Sequence, residues 1–214
     1  MSYSSSISIK EQLALRIASE TQRQMDSVLE DIQRIAKEFK IAEKDKRSPF
    51  RNVLAVAVES TSSLEIIKNY IRYQVGRGNN SSPIWSLKQN QKLFAEALVD
   101  SLDALKQNSE QILKCIEDSC QESKNKDESS EIETQQEKIL LDYLQDSQRR
   151  INLQRELHLE LAKLYLGYLT REHTALVGEQ KENSKSNSEE KDQQQSKTAR
   201  DVGKKPISPK QSLK

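Results

Sequence analysis

Proline and glycine, the residues that interrupt helices, are confined to Pro49, Pro83, Pro206 and Pro209 and to Gly76, Gly78, Gly167, Gly178 and Gly203. Residues 1–48 and 84–166 contain neither, and clusters of β-branched residues are few. A chain with so few breakers and so little strand-forming sequence has one economical solution, which is helix. The expected fold is all-α: a helical bundle with long antiparallel N- and C-terminal helices around a short central helix with two apolar faces.

That central helix is read in Ser62 to Arg77, SSLEIIKNYIRYQVGR. Ser62 and Glu65 have the spacing of a capping box, and Gly76 and Gly78 stand where a helix stops. At about 100° per residue, Leu64, Ile67, Ile71 and Val75 form one apolar stripe. Ile66, Tyr70, Tyr73 and Arg77 fall on the opposite side, and Lys68 and Arg72 lie one turn apart at the edge of the first stripe. Two readings follow. A helix apolar on both sides is commonly sandwiched between layers. Tyrosine and arginine are also the residues that stack on bases, pair with phosphates and anchor protein interfaces.

The rest of the chain is arranged on either side. Ser8 and Glu11 form a second capping box and open a helix expected to run from Ser8 to Ala42. Its narrow stripe comprises Ile9, Leu13, Ile17, Met25, Val28, Ile32, Ile35 and Phe39, as in one strand of a helical hairpin or coiled coil. Residues 1–47 are thus an N-terminal amphipathic unit ending in the charged linker EKDKR. Residues 48–177 form the helical core. Ser48-Pro49 caps FRNVLAVAVES, which is apolar on most sides and expected to be buried. GRGNNSSP is a connecting loop, and Trp85 anchors the start of a helix over residues 86–120. Phe94, Leu98, Leu102, Leu105, Ile112 and Ile116 are that helix's inner face. A polar, mainly acidic connection near 121–137 reads as mobile. The last helix, from Glu133 to Ala175, buries Leu140, Leu144, Ile151, Leu157, Leu161, Leu164, Tyr165 and Tyr168, and its Gly167 suggests close approach of a neighbouring helix. Residues 178–214 read as a disordered tail with a basic end carrying Lys197, Arg200, Lys204, Lys205, Lys210 and Lys214.

The balance of charge narrows the partners. With 31% charged residues and a formal net charge of +1, no global field draws the chain to nucleic acid or membrane, so binding must come from local patches. The N-terminus lacks a basic start followed by an apolar core, and no run is long and apolar enough to span a bilayer. Cys115 and Cys120 are five residues apart on different helical faces, the pattern of reduced thiols. The expectation is a soluble cytoplasmic protein that does not bind membrane.

Catalytic chemistry has no signature. GRGNNSSP does not follow a strand and lacks the Lys-Ser/Thr ending of a phosphate-binding loop. No nucleophile elbow, HExxH or CxxC occurs. His158 and His173 are too far apart on one helix to share a metal and read as surface or edge residues. No enzyme activity, cofactor, metal site or catalytic residue is expected.

Two non-enzymatic functions remain. The basic and aromatic set Arg51, Lys68, Arg72, Tyr73 and Arg77 suits a helical subunit lining a path for RNA or other single-stranded nucleic acid. The segments SPFRNVLAVAVES, SLEIIKNYIRYQVGR and LYLGYLTREH resemble the small helical subunits of type III CRISPR effector complexes, over about a quarter of the chain. This resemblance implies a cytoplasmic protein of antiviral defence. Such a protein would pack among the protein subunits of a larger ribonucleoprotein and contact guide–target nucleic acid without cutting it, through Lys68, Arg72 and Arg77. The alternative is a coiled-coil adaptor or assembly protein that uses Ile66, Tyr70 and Tyr73 to bind another protein or a second copy of itself.

Overall fold

The computed structural model describes the backbone of residues 8–59, 63–124 and 131–201, and side chains over 8–59, 63–122 and 135–184. Among the described residues the six α-helices are α1 (Ile9–Glu38), α2 (Phe50–Glu59), α3 (Leu64–Gly76), α4 (Phe94–Lys124), α5 (Glu131–Gln145) and α6 (Ser147–Asp201). A two-stranded antiparallel hairpin, β1 (Lys88–Gln89) and β2 (Lys92–Leu93), precedes α4. The fold is an all-α bundle, as the scarcity of breakers requires. It divides into a compact unit that ends at Thr174 and a second unit that starts at Ala175.

Local chemistry sets the helix ends. The Ser8 hydroxyl accepts from the Glu11 amide while the Glu11 carboxylate accepts from the Ser8 amide, so both halves of the expected capping box are made. α1 stops at Glu38 rather than Ala42, because Lys40 adopts a left-handed conformation (φ 50°) and starts a 3-10 turn over Ile41–Glu43. α3 is capped by Ser63, whose hydroxyl accepts from the Glu65 amide. Ser62, to which the sequence assigned that cap, lies outside the described residues. Ser48 does not cap α2; its hydroxyl is buried without a partner.

The helix at the centre is α4, which packs against α1, α3 and α5. Gln24 pairs with Asn108 and Arg16 with Cys120, so α1 and α4 are antiparallel. Leu102 pairs with His158, Glu110 with Gln154 and Glu117 with Arg150, so α4 and α6 are antiparallel too. α1 and the first part of α6 therefore run in the same direction, with Tyr165 meeting Asp31. The antiparallel pairing expected of the first and last helices is corrected: each makes its antiparallel pair with α4. α3 lies against α2 and α4 with its outer side open, and is not the central helix.

The core follows the apolar periodicity. Leu13, Val28, Ile32, Ile35 and Phe39 are buried, as are Phe94, Leu98, Leu102, Leu105, Ile112 and Ile116 of α4. Leu140, Leu144, Leu157, Leu161 and Tyr165 are buried, but Ile151 and Leu164 are exposed, so the stripe of the last helix is narrower than expected. α2 buries Phe50, Val53 and Ala57 and exposes Val58, so it is amphipathic rather than buried all round. One end of the bundle is aromatic. Phe50 meets Trp85 edge-on at 5.6 Å, Phe39 meets Phe94 at 5.5 Å, and Phe50 meets the His173 ring at 5.7 Å. Each such pair adds about 0.5–1.5 kcal/mol to the area it buries. Trp85 is held in a 3-10 turn over Pro83–Ser86 and not at the start of α4, which begins eight residues later than expected because the hairpin intervenes.

The later part of the chain differs in further ways. The long last helix is two, since Asp146 breaks it and its carboxylate accepts from the Arg149 amide. Of the acidic connection, residues 125–130 lie outside the described residues. A Cβ added at Gly167 meets nothing within 4 Å, so no helix approaches there. The backbone from residue 178 to Asp201, read from sequence as tail, is helical. Its Glu, Lys, Gln and Ala are good helix formers even without an apolar stripe. The basic end from 202 to 214 lies outside the described residues, and the side chains of Lys197 and Arg200 are not described.

Candidate functional site

α3 presents two different sides. Ile67, Lys68, Ile71 and Gln74 turn inward. Leu64 and Val75, expected on the buried stripe, are half-buried at its margins. On the outer side Ile66 is 48% exposed and Tyr73 58% exposed, while Tyr70 is half-buried. The sandwiched reading of this helix is therefore not realised.

The outer residues form a row with successive steps of four, three and four: Ile66, Tyr70, Tyr73 and Arg77. Tyr70 and Tyr73 have ring centroids 6.3 Å apart, and the Arg77 guanidinium lies 5.8 Å from the centre of the Tyr73 ring. Such a cation–ring contact contributes about 0.5–1 kcal/mol at an exposed site and restrains both side chains. The helix ends immediately afterwards. Arg77 caps it, its amide donating to the Tyr73 carbonyl, and Gly78 takes φ +52°, a conformation that glycine tolerates. The loop that follows is a short 3-10 turn over Gly78–Asn80, pinned back to α3 by a hydrogen bond of 2.9 Å from the Ser81 hydroxyl to the buried Gln74 amide oxygen. The glycine-rich segment is thus an ordered turn that fixes where Arg77 starts.

The five residues assigned to nucleic-acid contact do not behave alike. Lys68 is buried, and its ammonium donates to Asp103 at 2.8 Å and also pairs with Glu65. Burial pulls its pKa down, but the hydrogen bonds to Asp103 and Glu65 outweigh it and the net shift is upward. Lys68 is turned into the protein and its charge is spent there. Arg72 and Arg77 are exposed, and neither forms an ion pair among the described residues. Arg51, on α2, is likewise exposed and outside any such pair. Tyr73 and Arg77 are in direct contact, Arg72 is their neighbour on the helix, and Arg51 belongs to a separate element packed beside α3.

Elsewhere the polar groups serve the fold. Tyr165 is 1% exposed, and its hydroxyl donates to Asp31 at 2.8 Å. Burial acts to raise the Asp31 pKa, but hydrogen bonds from Arg34, Ser101 and Tyr165 overcome it and hold the carboxyl below its ordinary value. Burial pushes the Tyr165 hydroxyl far up, so it stays protonated. His173 is buried, not at the surface, and its Nε2 lies 3.0 Å from the Asp45 carbonyl. Burial lowers its pKa, and the bond to Asp45 opposes this in part. His158 is half-buried with Nε2 2.7 Å from the Leu102 carbonyl. A cleft of about 340 Å³ between α1, the hairpin and α4 is lined by Asp31, Arg34, Glu38, Lys92 and Asp100, charges of both signs.

Cys115 and Cys120 form no disulfide. Among the described residues no group of three or more His, Cys, Asp or Glu is placed to hold a metal ion, and no helix is long and apolar enough to cross a membrane. Sequence reasoning missed Gln74 as the residue that anchors the turn, although a lone glutamine at an inward position of an apolar stripe was the signal for it. No protein-family model, curated protein or solved structure matches this chain.

Proposed function

We propose that this chain is a non-enzymatic helical subunit of a cytoplasmic ribonucleoprotein, of the type III CRISPR kind that its sequence resembles, and that it contacts the backbone of RNA or single-stranded nucleic acid through the outer side of α3. The observation that carries this reading is the sorting of cations on one helix. Lys68 is consumed by Asp103 and Glu65, whereas Arg72 and Arg77 are exposed and form no ion pair among the described residues. Exposed arginines outside any ion pair are suited to phosphates, which their planar fork grips in two places. Arg51 on the adjoining α2 extends the same supply of charge.

Fluorescence anisotropy with a labelled 12-nucleotide RNA tests the reading. The native chain binds, and Arg72→Ala and Arg77→Ala each weaken binding at 100 mM salt. Equal affinity in the native chain and both variants removes the assignment.

The exposure of Ile66 beside Tyr70 and Tyr73 favours a second reading, an adaptor whose α3 docks a protein subunit or a second copy. Light scattering separates the two: that reading requires a complex or dimer that Ile66→Glu disperses.

A further inference from the structure

The nucleic-acid reading above concerns the backbone and leaves open what meets a base. We propose that α3 carries a seat for one nucleotide of an unpaired strand, with its base on Tyr73 and its flanking phosphates on Arg72 and Arg77. This inference rests on that reading and adds to it.

The seat follows from helix geometry. Arg72 and Tyr73 project about 100° apart. The residues that fall between them on the helix surface are Asn69, one turn before Tyr73, and Gly76, one turn after Arg72. Asn69 and Gly76 are both exposed, and a Cβ added at Gly76 meets nothing within 4 Å. Asn69 and Gly76 therefore floor a strip of helix surface with Tyr73 along one side and Arg72 along the other.

The Tyr73 ring is 58% exposed yet positioned, with Tyr70 on one side and Arg77 against it. A ring already restrained loses little freedom when a base stacks on it. Charge is complementary as well. Glu65, the one carboxylate in α3, is held by Lys68, so it does not cancel Arg72 or Arg77. Paired bases are covered by their neighbours above and below and cannot lie on a side-chain ring, whereas an unpaired base offers its face. The strip thus selects single strands through Tyr73, while the arginines alone would accept either form.

The test uses the full chain and three labelled RNAs of equal length: a single strand, the same strand in a duplex, and a single strand of abasic ribose-phosphate. The native chain binds the single strand roughly tenfold or more tighter than the other two. Tyr73→Ala weakens binding to the single strand by about ten- to hundredfold and leaves the other two unchanged. Tyr73→Phe retains the affinity. Gly76→Gln, which has room to fold, fills the floor and weakens the same RNA. If Tyr73→Ala changes nothing while Arg72→Ala and Arg77→Ala weaken all three RNAs, the seat is overturned and the backbone reading stands. If no RNA binds, both fall. If Tyr73→Ala abolishes a protein complex and leaves RNA affinity intact, the strip belongs to a protein interface and the proposal is overturned.

Discussion

Tyr165→Phe removes one oxygen from the middle of the bundle and leaves the ring in place. The hydroxyl is buried and donates to Asp31 at 2.8 Å, tying α6 to α1. A hydrogen bond to a charged group contributes about 1.5–3 kcal/mol. Asp31 keeps Arg34 and Ser101 as partners, so the lower end applies, about 1.5 kcal/mol at pH 7. For a chain of this length that lowers the melting temperature by roughly 3–6 °C. The loss also depends on pH. The depressed Asp31 pKa gives stability that is present above the ordinary carboxylate range and disappears as pH falls through the folded value. Removing a donor returns that pKa toward normal. The difference between native and variant is then constant above the ordinary carboxylate range and shrinks only as pH falls from there toward the depressed folded value, below which the bond joins two neutral groups. Urea unfolding followed by circular dichroism at pH 7, 5 and 3.5 measures it. A deficit under 0.5 kcal/mol at pH 7, or one that grows as pH falls, would refute the account of how α1 and α6 are joined.

Three further outcomes follow from the same structure. Gly167→Ala stabilises the chain by about 0.5–1 kcal/mol in urea unfolding, since the position is inside a helix with empty space around it. His173 is held neutral by burial, so its contribution is complete above its ordinary pKa and declines as pH falls from about 6.5, because the unfolded chain takes up the proton first. The urea midpoint of the native chain should drop between pH 7.5 and 5.5, and His173→Gln should flatten that drop. Lys68→Met changes stability by within about 1 kcal/mol, because Glu65 and Asp103 are exposed enough to recover water. It leaves RNA affinity unchanged, whereas Arg72→Ala does not; a loss of affinity with Lys68→Met would show that its charge is not spent internally.

The bundle and the two sides of α3 were legible in the sequence because burial repeats at the helical period over Ile67 and Ile71, with Ile66 and Tyr73 opposite. The hairpin was not. Its strands are two residues each, without a β-branched residue, and its turn places Asn90 and Gln91 at positive φ without a glycine to announce it. Lys68 looked like a free cation because its carboxylate Asp103 is 35 residues away and only packing joins them. His173 looked peripheral for the same reason: Asp45 and Phe50, which enclose it, precede it by more than 120 residues. Helix direction was also out of reach, since periodicity records which side of a helix is buried but not which neighbour covers it.

The measurement that bears most directly on the central claim is the salt dependence of RNA binding in the native chain and in Arg72→Ala/Arg77→Ala. Each phosphate contact on a single strand contributes about −0.7 to the slope of log affinity against log salt. Losing two contacts should flatten that slope by about 1.4 while the circular dichroism spectrum and melting temperature stay the same. A folded double variant with an unchanged slope would mean that the outer side of α3 does not meet phosphate.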